Sequence, residues 1–291
     1  MTHHNRFDYS PIIDRPVRKM PGNARIGVWV TPNIEHFHWG KPAMSMTQMT
    51  VGLSPDVLNH AWREYGSRVG VWRVMEVLAK HSIRATATLN SEVCDVHPRI
   101  VEEGSKLGWE WAAHGPNNSM LFTGMPEDAE RQIITGVIER ITSATGKRPR
   151  GWLGPALTET GNTPDLLAEA GINYVMDWAN DELPYEMKVR SGSLLALPYT
   201  LELGDIPILL EHGGSGEDFY NILRSQFDQL YEEGATRPRI MSIALHPFII
   251  GHPFRARWLD KALAHIVGHD HVWLATGSEI TDWHRAGCSA L

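Results

Sequence analysis

Four apolar runs in this chain each end on polar residues that can move a proton or hold a carbonyl group. Residues 25–31 are followed by Asn33, Glu35, His36 and His38, and residues 109–113 by His114, Asn117 and Asn118. Residues 172–176 are followed by Asp177, Asn180, Asp181 and Glu182, and residues 240–245 by His246. Carboxylates and imidazoles suit general acid–base chemistry, in which one group draws a proton from water and another protonates a leaving atom. Position at a strand end favours a functional Glu35 over a plain surface carboxylate. His114 precedes Gly115, which lets the backbone turn sharply or approach a ligand. For His246, before Pro247, a buried polar slot and a catalytic role are evenly balanced. The His36-Phe37-His38-Trp39 cluster reads as packing and surface rather than as a metal site. Trp39, Trp152 and Trp178 follow apolar runs and are candidates to wall a pocket for a flat ligand. His252, His265, His269 and His271 read as structural or surface residues.

The elements that position these groups alternate. Short apolar runs (residues 25–31, 83–89, 109–113, 172–176, 240–245 and 272–275) read as buried strands. Between them, helical spacing or caps mark residues 71–78, 98–107, 127–145, 163–170, 217–233 and 255–267. Residues 193–203 read as extended and 211–216 as a loop. About seven β-then-α alternations predict a parallel sheet with helices outside, either a closed barrel or an open doubly wound sheet. No GxGxxG follows the first strand, which disfavours dinucleotide binding. In parallel β/α folds the active site forms at the carboxyl ends of the strands. Four strand ends therefore deliver Glu, His, Asn and Asp to one face.

The 291 residues, 42 % hydrophobic and 21 % charged, suffice for one globular domain over 24–291 behind an N-terminal arm, 1–23. A net charge of −7, with no basic run longer than Lys147-Arg148-Pro149-Arg150, argues against nucleic acid and anionic membranes as partners. Two cysteines, Cys94 and Cys288, make neither a disulfide framework nor a Cys-based zinc site. The first residues carry no apolar signal-like core, and no apolar run approaches the roughly 20 residues of a membrane span. These features predict a cytoplasmic protein, away from cell-wall polymers.

The order and spacing of the polar groups resemble the polysaccharide deacetylase family, carbohydrate esterase family 4, over roughly residues 24–285. The resemblance implies an α/β fold, a deformed (β/α) barrel. In that family the first strand ends in a catalytic Asp and then a metal-binding Asp, where this chain has Asn33-Ile34-Glu35. The His-Ser/Thr-x-x-His metal motif reads His114-Gly115-Pro116-Asn117-Asn118. The Gly-Phe-Arg-Pro-Pro motif, whose Arg pairs with the catalytic Asp, reads Gly151-Trp152-Leu153-Gly154-Pro155. Asp177 and Asp181 match the fourth motif, and Ile243-Ala244-Leu245-His246 the fifth. The family's base and its Arg partner are thus lost together, as suits a buried pair that is costly to break singly. Asn118 replaces a histidine ligand, and an amide oxygen is a poor zinc donor. This pattern resembles the branch holding bacterial metal-independent allantoinases and cyclic imide hydrolases, as do the stretches 152–160 and 197–203.

That resemblance implies hydrolytic opening of a small cyclic amide, imide or ureide, with no required cofactor. Glu35 would be the general base and His114 would orient water or the carbonyl. Asn33 and Asn118 would donate to the carbonyl oxygen. His246 would protonate the leaving nitrogen, its pKa tuned by Asp177 or Asp181. Trp152 and Trp178 would line the substrate pocket, and Arg150 would lie on the surface. Two alternatives stand beside it. One is a zinc-class divalent-metal N-deacetylase of amino sugars, in which Glu35 and His114 are ligands and His36 or His38 completes the set. The other is a non-catalytic binding protein on a decayed site. The implied partners are a small-molecule substrate and other copies of the chain in a homo-oligomer, with Phe7-Asp8-Tyr9 of the arm available for an interface.

Overall fold

The structure, a computed structural model, describes residues 4–41, 49–50 and 52–288. Residues 1–3, the start of the predicted arm, lie outside the described residues. In chain order the regular elements are β1 (Ile26–Ile34), α1 (Val57–Tyr65), a π-helical turn (Gly66–Gly70), α2 (Val71–Lys80), β2 (Thr86–Leu89), α3 (Val93–Val96), α4 (Pro98–Lys106) and β3 (Glu110–Ala113). Then follow α5 (Glu127–Thr145), β4 (Gly151–Trp152), α6 (Thr163–Glu169), β5 (Tyr174–Val175), β6 (Tyr185–Met187), β7 (Leu194–Ala196) and a second π-helical turn (Pro207–Glu211). The chain closes with α7 (Gly216–Glu233), β8 (Arg239–Leu245), α8 (Pro247–Ile250), α9 (Pro253–Val267), β9 (Val272–Leu274) and α10 (Gly277–Cys288).

The strands lie side by side in the order β6-β7-β5-β4-β3-β2-β1-β8, and β9 also pairs with β1. All pairings are parallel except β6 with β7. The result is a curled half-barrel rather than a closed ring. Instead of about seven parallel strands, the described residues give eight parallel strands and one antiparallel edge strand. The extra pieces are two- and three-residue strands around Gly151 and Leu194, too short to show a period of their own. At the seam between β8 and β6, the Ile240 amide donates to the Glu182 carbonyl (3.0 Å).

β1 runs three residues past Thr31, the end of the apolar run, and continues through Pro32. Pro32 sits at the last register with β8, opposite Leu245. The ladder ends there, so the missing N–H breaks no interior bond. The Leu245 carbonyl takes its hydrogen bond from the Asn33 side chain instead (3.2 Å). Side chains alternate along the strand. Val28, Val30 and Ile34 pack outward with Leu78, Leu89 and Leu259 beneath the helices. Trp29 points inward with Ala112, Leu153, Met176 and Leu197. The inward face continues through Thr31 and Asn33 to Glu35.

The arm is clipped to the body. Arg6 pairs with Asp165 (2.9 Å) and Arg15 with Asp181 (2.6 Å). Phe7 packs edge-on against Trp178 and Tyr185, so it is spent within the chain, while Tyr9 stays exposed. Among the described residues no helix is long and apolar enough to cross a membrane.

The first π-helical turn and α8 meet backbone to backbone. A Cβ at Gly70 would overlap the Pro247 carbonyl oxygen, and one at Gly251 would overlap Gly70. This contact fixes the turn that begins at His246. Gly70→Ala is expected to destabilise the protein by about 1–3 kcal/mol, or more where no backbone shift relieves the clash. Urea unfolding checks this, with the exposed Gly136→Ala in α5 as a neutral or stabilising control, since nothing lies near its Cβ position.

Candidate active site

Glu35 is the centre of the polar cluster. Its side chain is only 7 % exposed, and three neighbours address the same oxygen, Oε1. Asn118 Nδ2 donates to it at 2.5 Å, His114 Nε2 lies at 3.6 Å and His246 Nε2 at 3.7 Å. The last two distances exceed a hydrogen bond, so charge acts there rather than a shared proton. Burial alone would raise the Glu35 pKa, but His246, His114 and Arg63 outweigh it and hold the carboxyl below its ordinary value. Glu35 is therefore ionised at neutral pH. A cavity of about 10 Å³ beside it, lined by Asn33, Phe37, Arg63 and Phe248, has room for about one water.

His114 is fixed by the end of β3. Its amide donates to the Leu89 carbonyl (3.0 Å), and Nδ1 meets the Leu153 carbonyl oxygen at 2.7 Å. A carbonyl only accepts, so Nδ1 carries the proton, and Nε2 is turned toward Glu35. That Nε2 is buried and has no hydrogen-bond partner. Gly115 follows at φ +63°, and a Cβ there would collide with Pro155, as its place in the motif anticipated. The turn returns Asn118 over Glu35, where the Asn118 amide donates to the His36 carbonyl (2.9 Å) and Oδ1 accepts from Asn90 (3.0 Å).

His246 ends β8 and is clamped by Asp205. Asp205 accepts the backbone N–H at 2.6 Å and Nδ1–H at 2.7 Å, and is fully buried. Burial works against the imidazolium, but Asp205 and Glu35 more than offset it and raise the pKa of His246 above its ordinary value. Arg63, from α1, stacks on the Phe37 ring at 3.6 Å. Burial brings its pKa down to about 10, against the pull of Glu35 and Asp56, so it stays charged.

Several expectations need correction. Asn33 is buried and makes structural bonds to Thr31, Tyr199, Leu245 and Thr88, which leaves it no N–H for a substrate. Asn118 directs one of its two side-chain N–H groups to Glu35 rather than to a substrate carbonyl. Asp181 is held by Arg15 of the arm, and Asp177 by the Gly154 amide, so neither tunes His246. Trp152 is fully buried against Phe122 and walls no pocket. Trp178 lies under Phe7, its Nε1 on Glu159 (3.2 Å). Arg150 pairs with Asp282 and is a surface residue, as expected. Sequence reasoning missed Asp205 and Arg63. Asp205 follows no strand, and α1 was not read as an element. A cavity of about 790 Å³ opens away from this cluster, at the barrel seam beneath the arm, lined by Tyr199, Glu202, Met241 and Ser242 among others.

The cluster does not fit a resident zinc. Two donors bound at about 2.0–2.2 Å to one ion can be no more than about 4.4 Å apart. Among the described residues, donor atoms of three His, Cys, Asp or Glu side chains gather within 4.8 Å of one another only at His36–His38–Glu92 and at Asp228–His265–His269. His114 Nε2 and His246 Nε2 each face Glu35 Oε1, at 3.6 and 3.7 Å, but the three donor atoms do not all come within 4.8 Å of one another.

The polysaccharide deacetylase profile matches residues 63–175. A Schizosaccharomyces pombe protein assigned to the polysaccharide deacetylases is 31 % identical over 234 residues, 75 % of this chain and 73 % of its own. This chain belongs to the polysaccharide deacetylase family. It is accordingly a hydrolase of carbon–nitrogen bonds. A Pseudomonas aeruginosa crystal structure assigned to the same group superposes with a TM-score of 0.84 at 31 % identity, covering 93 % of this chain and 95 % of that one. PuuE allantoinase superposes with a TM-score of 0.83 at 28 % identity, covering 96 % and 98 %. The Helicobacter pylori peptidoglycan deacetylase is 23 % identical over 79 % of this chain and 87 % of its own. The expected deformed β/α barrel agrees with the half-barrel described above.

Two measurements follow from the site's charges. In Asp205→Asn the His246 imidazole should lose its main support and titrate at lower pH than in the wild type, as read by NMR. An unchanged value would mean that Asp205 does not hold the proton. The second concerns Glu159 and Asp177, two half-buried carboxyls side by side. Burial raises both, Glu159 to about 7, and Asp177 Oδ2 has no hydrogen-bond donor. A carboxyl with a raised folded pKa binds more protons folded than unfolded, so stability falls as pH rises from about 4.5 through 7. Glu159→Gln should lessen that fall, seen as a smaller drop in urea midpoint between pH 5 and pH 8.

Proposed function

We propose that this chain hydrolyses a small cyclic amide, imide or ureide by opening its ring, without a metal at the reacting centre. The observation that carries the reading is a single ionised carboxylate, Glu35, set between two imidazoles, each anchored at Nδ1 and turning Nε2 toward it. Glu35 takes a proton from water as its oxygen attacks the ring carbonyl. His114 Nε2, unpartnered and facing Glu35, aligns that water. The His246 imidazolium, held by Asp205, faces the charge that develops on the carbonyl oxygen. It then gives its Nε2 proton to the ring nitrogen as the C–N bond breaks, leaving a ring-opened acid. Arg63 helps keep Glu35 ionised, in place of the family Arg absent at Leu153.

The likeness to PuuE allantoinase over nearly the whole chain supports this substrate class. A metal-dependent N-deacetylase has less support, because Asn118 turns its N–H rather than a lone pair to the centre. No observation favours a non-catalytic binding role. The homo-oligomer stays part of this proposal, with the exposed Tyr9 and Ile13 of the arm as surface for it.

Ring opening of allantoin, hydantoin and succinimide tests the reading. Glu35→Gln should lower kcat by about 10²–10⁴-fold, whereas chelator should leave the catalytic step in place. Retained turnover in Glu35→Gln, or turnover wholly lost on chelation and restored by zinc, would overturn it. Activity requires Glu35 ionised and His246 protonated. The pH profile should therefore be bell-shaped, with its acid limb below the ordinary Glu value of 4.5 and its alkaline limb above the ordinary His value of 6.5.

A further inference from the structure

We infer that His36, His38 and Glu92 form a zinc-class divalent cation site at the rim of the half-barrel, separate from Glu35, His114 and His246. His36 and His38 follow β1, and Glu92 lies in the turn after β2. One donor atom from each lies within 4.8 Å of the others. His38 Nε2 is 2.6 Å from Glu92 Oε2, and His36 Nε2 is 3.9 Å from the same oxygen. Two imidazoles thus converge on one carboxylate oxygen, but only one reaches hydrogen-bonding distance. An ion bound by all three needs only a modest adjustment of these partly exposed rings, which are 18 % and 35 % exposed. His2Glu is a zinc-competent donor set.

The surroundings are those of a supported ligand shell. Asn117 Nδ2 donates to the other Glu92 oxygen, Oε1, at 2.8 Å, which orients the carboxylate. The His36 amide is held by Asn90 Oδ1 and the His38 amide by Ser119 Oγ, each at 2.9 Å. His97 stands beside His36, ring centroids 6.2 Å apart, and its Nε2 is shielded from water with no hydrogen-bond partner.

The role that follows is structural. The residues involved belong to the segments after β1, β2 and β3, which also carry Glu35, Asn90 and Asn118. A bound ion would tie the segments after β1 and β2 at the mouth of the site, with the segment after β3 held through Asn117 on Glu92, and would stabilise the folded state in proportion to its occupancy.

The test uses the full chain, purified without a histidine tag, with zinc binding read by elemental analysis and titration calorimetry. Wild type and Glu35→Gln should each bind one zinc per chain and gain Tm with added zinc. Glu92→Gln and His38→Ala should bind at least tenfold more weakly and lose that gain, while circular dichroism shows both still folded. Should one of these variants misfold, the other and His36→Gln carry the test. No zinc binding by the wild type would overturn the inference. So would binding that survives Glu92→Gln and His38→Ala but is lost in Glu35→Gln or His114→Ala, which would place the ion at the catalytic centre. Because Glu35→Gln is expected to keep zinc and lose hydrolysis, failure here and failure of the ring-opening reading are separable.

Discussion

A carboxylate that is nearly out of water has to be matched by positive charge, and Glu35 imposes that condition on everything near it. An unmatched buried charge would take up a proton and stop being a base. Here the match comes from three directions. His246 arrives from β8, Arg63 from α1 and His114 from β3, and Asn118 adds a direct N–H. Each contributor needs its own anchor. Asp205 holds His246, the Leu153 carbonyl holds His114, and the Phe37 ring supports Arg63. The site is a charge balance spread over elements far apart in sequence, and truncating one member strands another.

The sheet makes this balance possible by its alternation. Because inward residues on β1 recur every second position, Trp29 fills the barrel interior while Glu35, on the same face, reaches its rim. The parallel strands β8, beside β1, and β3, one strand beyond β2, deliver His246 and His114 to that rim at the same end. Asn33 closes the geometry from inside, giving the Leu245 carbonyl the hydrogen bond that Pro32 cannot. Its conspicuous position beside Glu35 is explained by the ladder rather than by chemistry.

The residues legible in advance were those whose neighbours in sequence carry the signal. An apolar run ending in a polar residue marks a strand end, and this found Glu35, His114 and His246. It also found Asp177 and Asp181, which have the same local signature but different work. One is a half-buried partner of Glu159, and the other anchors Arg15 of the arm. Trp152 shows the same ambiguity, since an aromatic after an apolar run can face a ligand or the core. Short strands such as β4 and β7, two and three residues long, have no period of their own and form only where the sheet brings partners beside them.

The sequence by itself determined the α/β class, the face on which chemistry would gather, and the family, because hydrophobic period and motif order are local properties of the chain. Only the tertiary structure decided that Asp205 rather than Asp177 or Asp181 contacts His246, and that Arg63 lies near enough to help hold the Glu35 carboxyl below its ordinary pKa. It also decided that Asn118 directs a side-chain N–H to Glu35, and that Glu92 joins His36 and His38. Each of these is a contact between residues 28 to 83 positions apart or a choice between equivalent donors. Such choices are set by where packed elements place side chains, and chain order does not encode that distance.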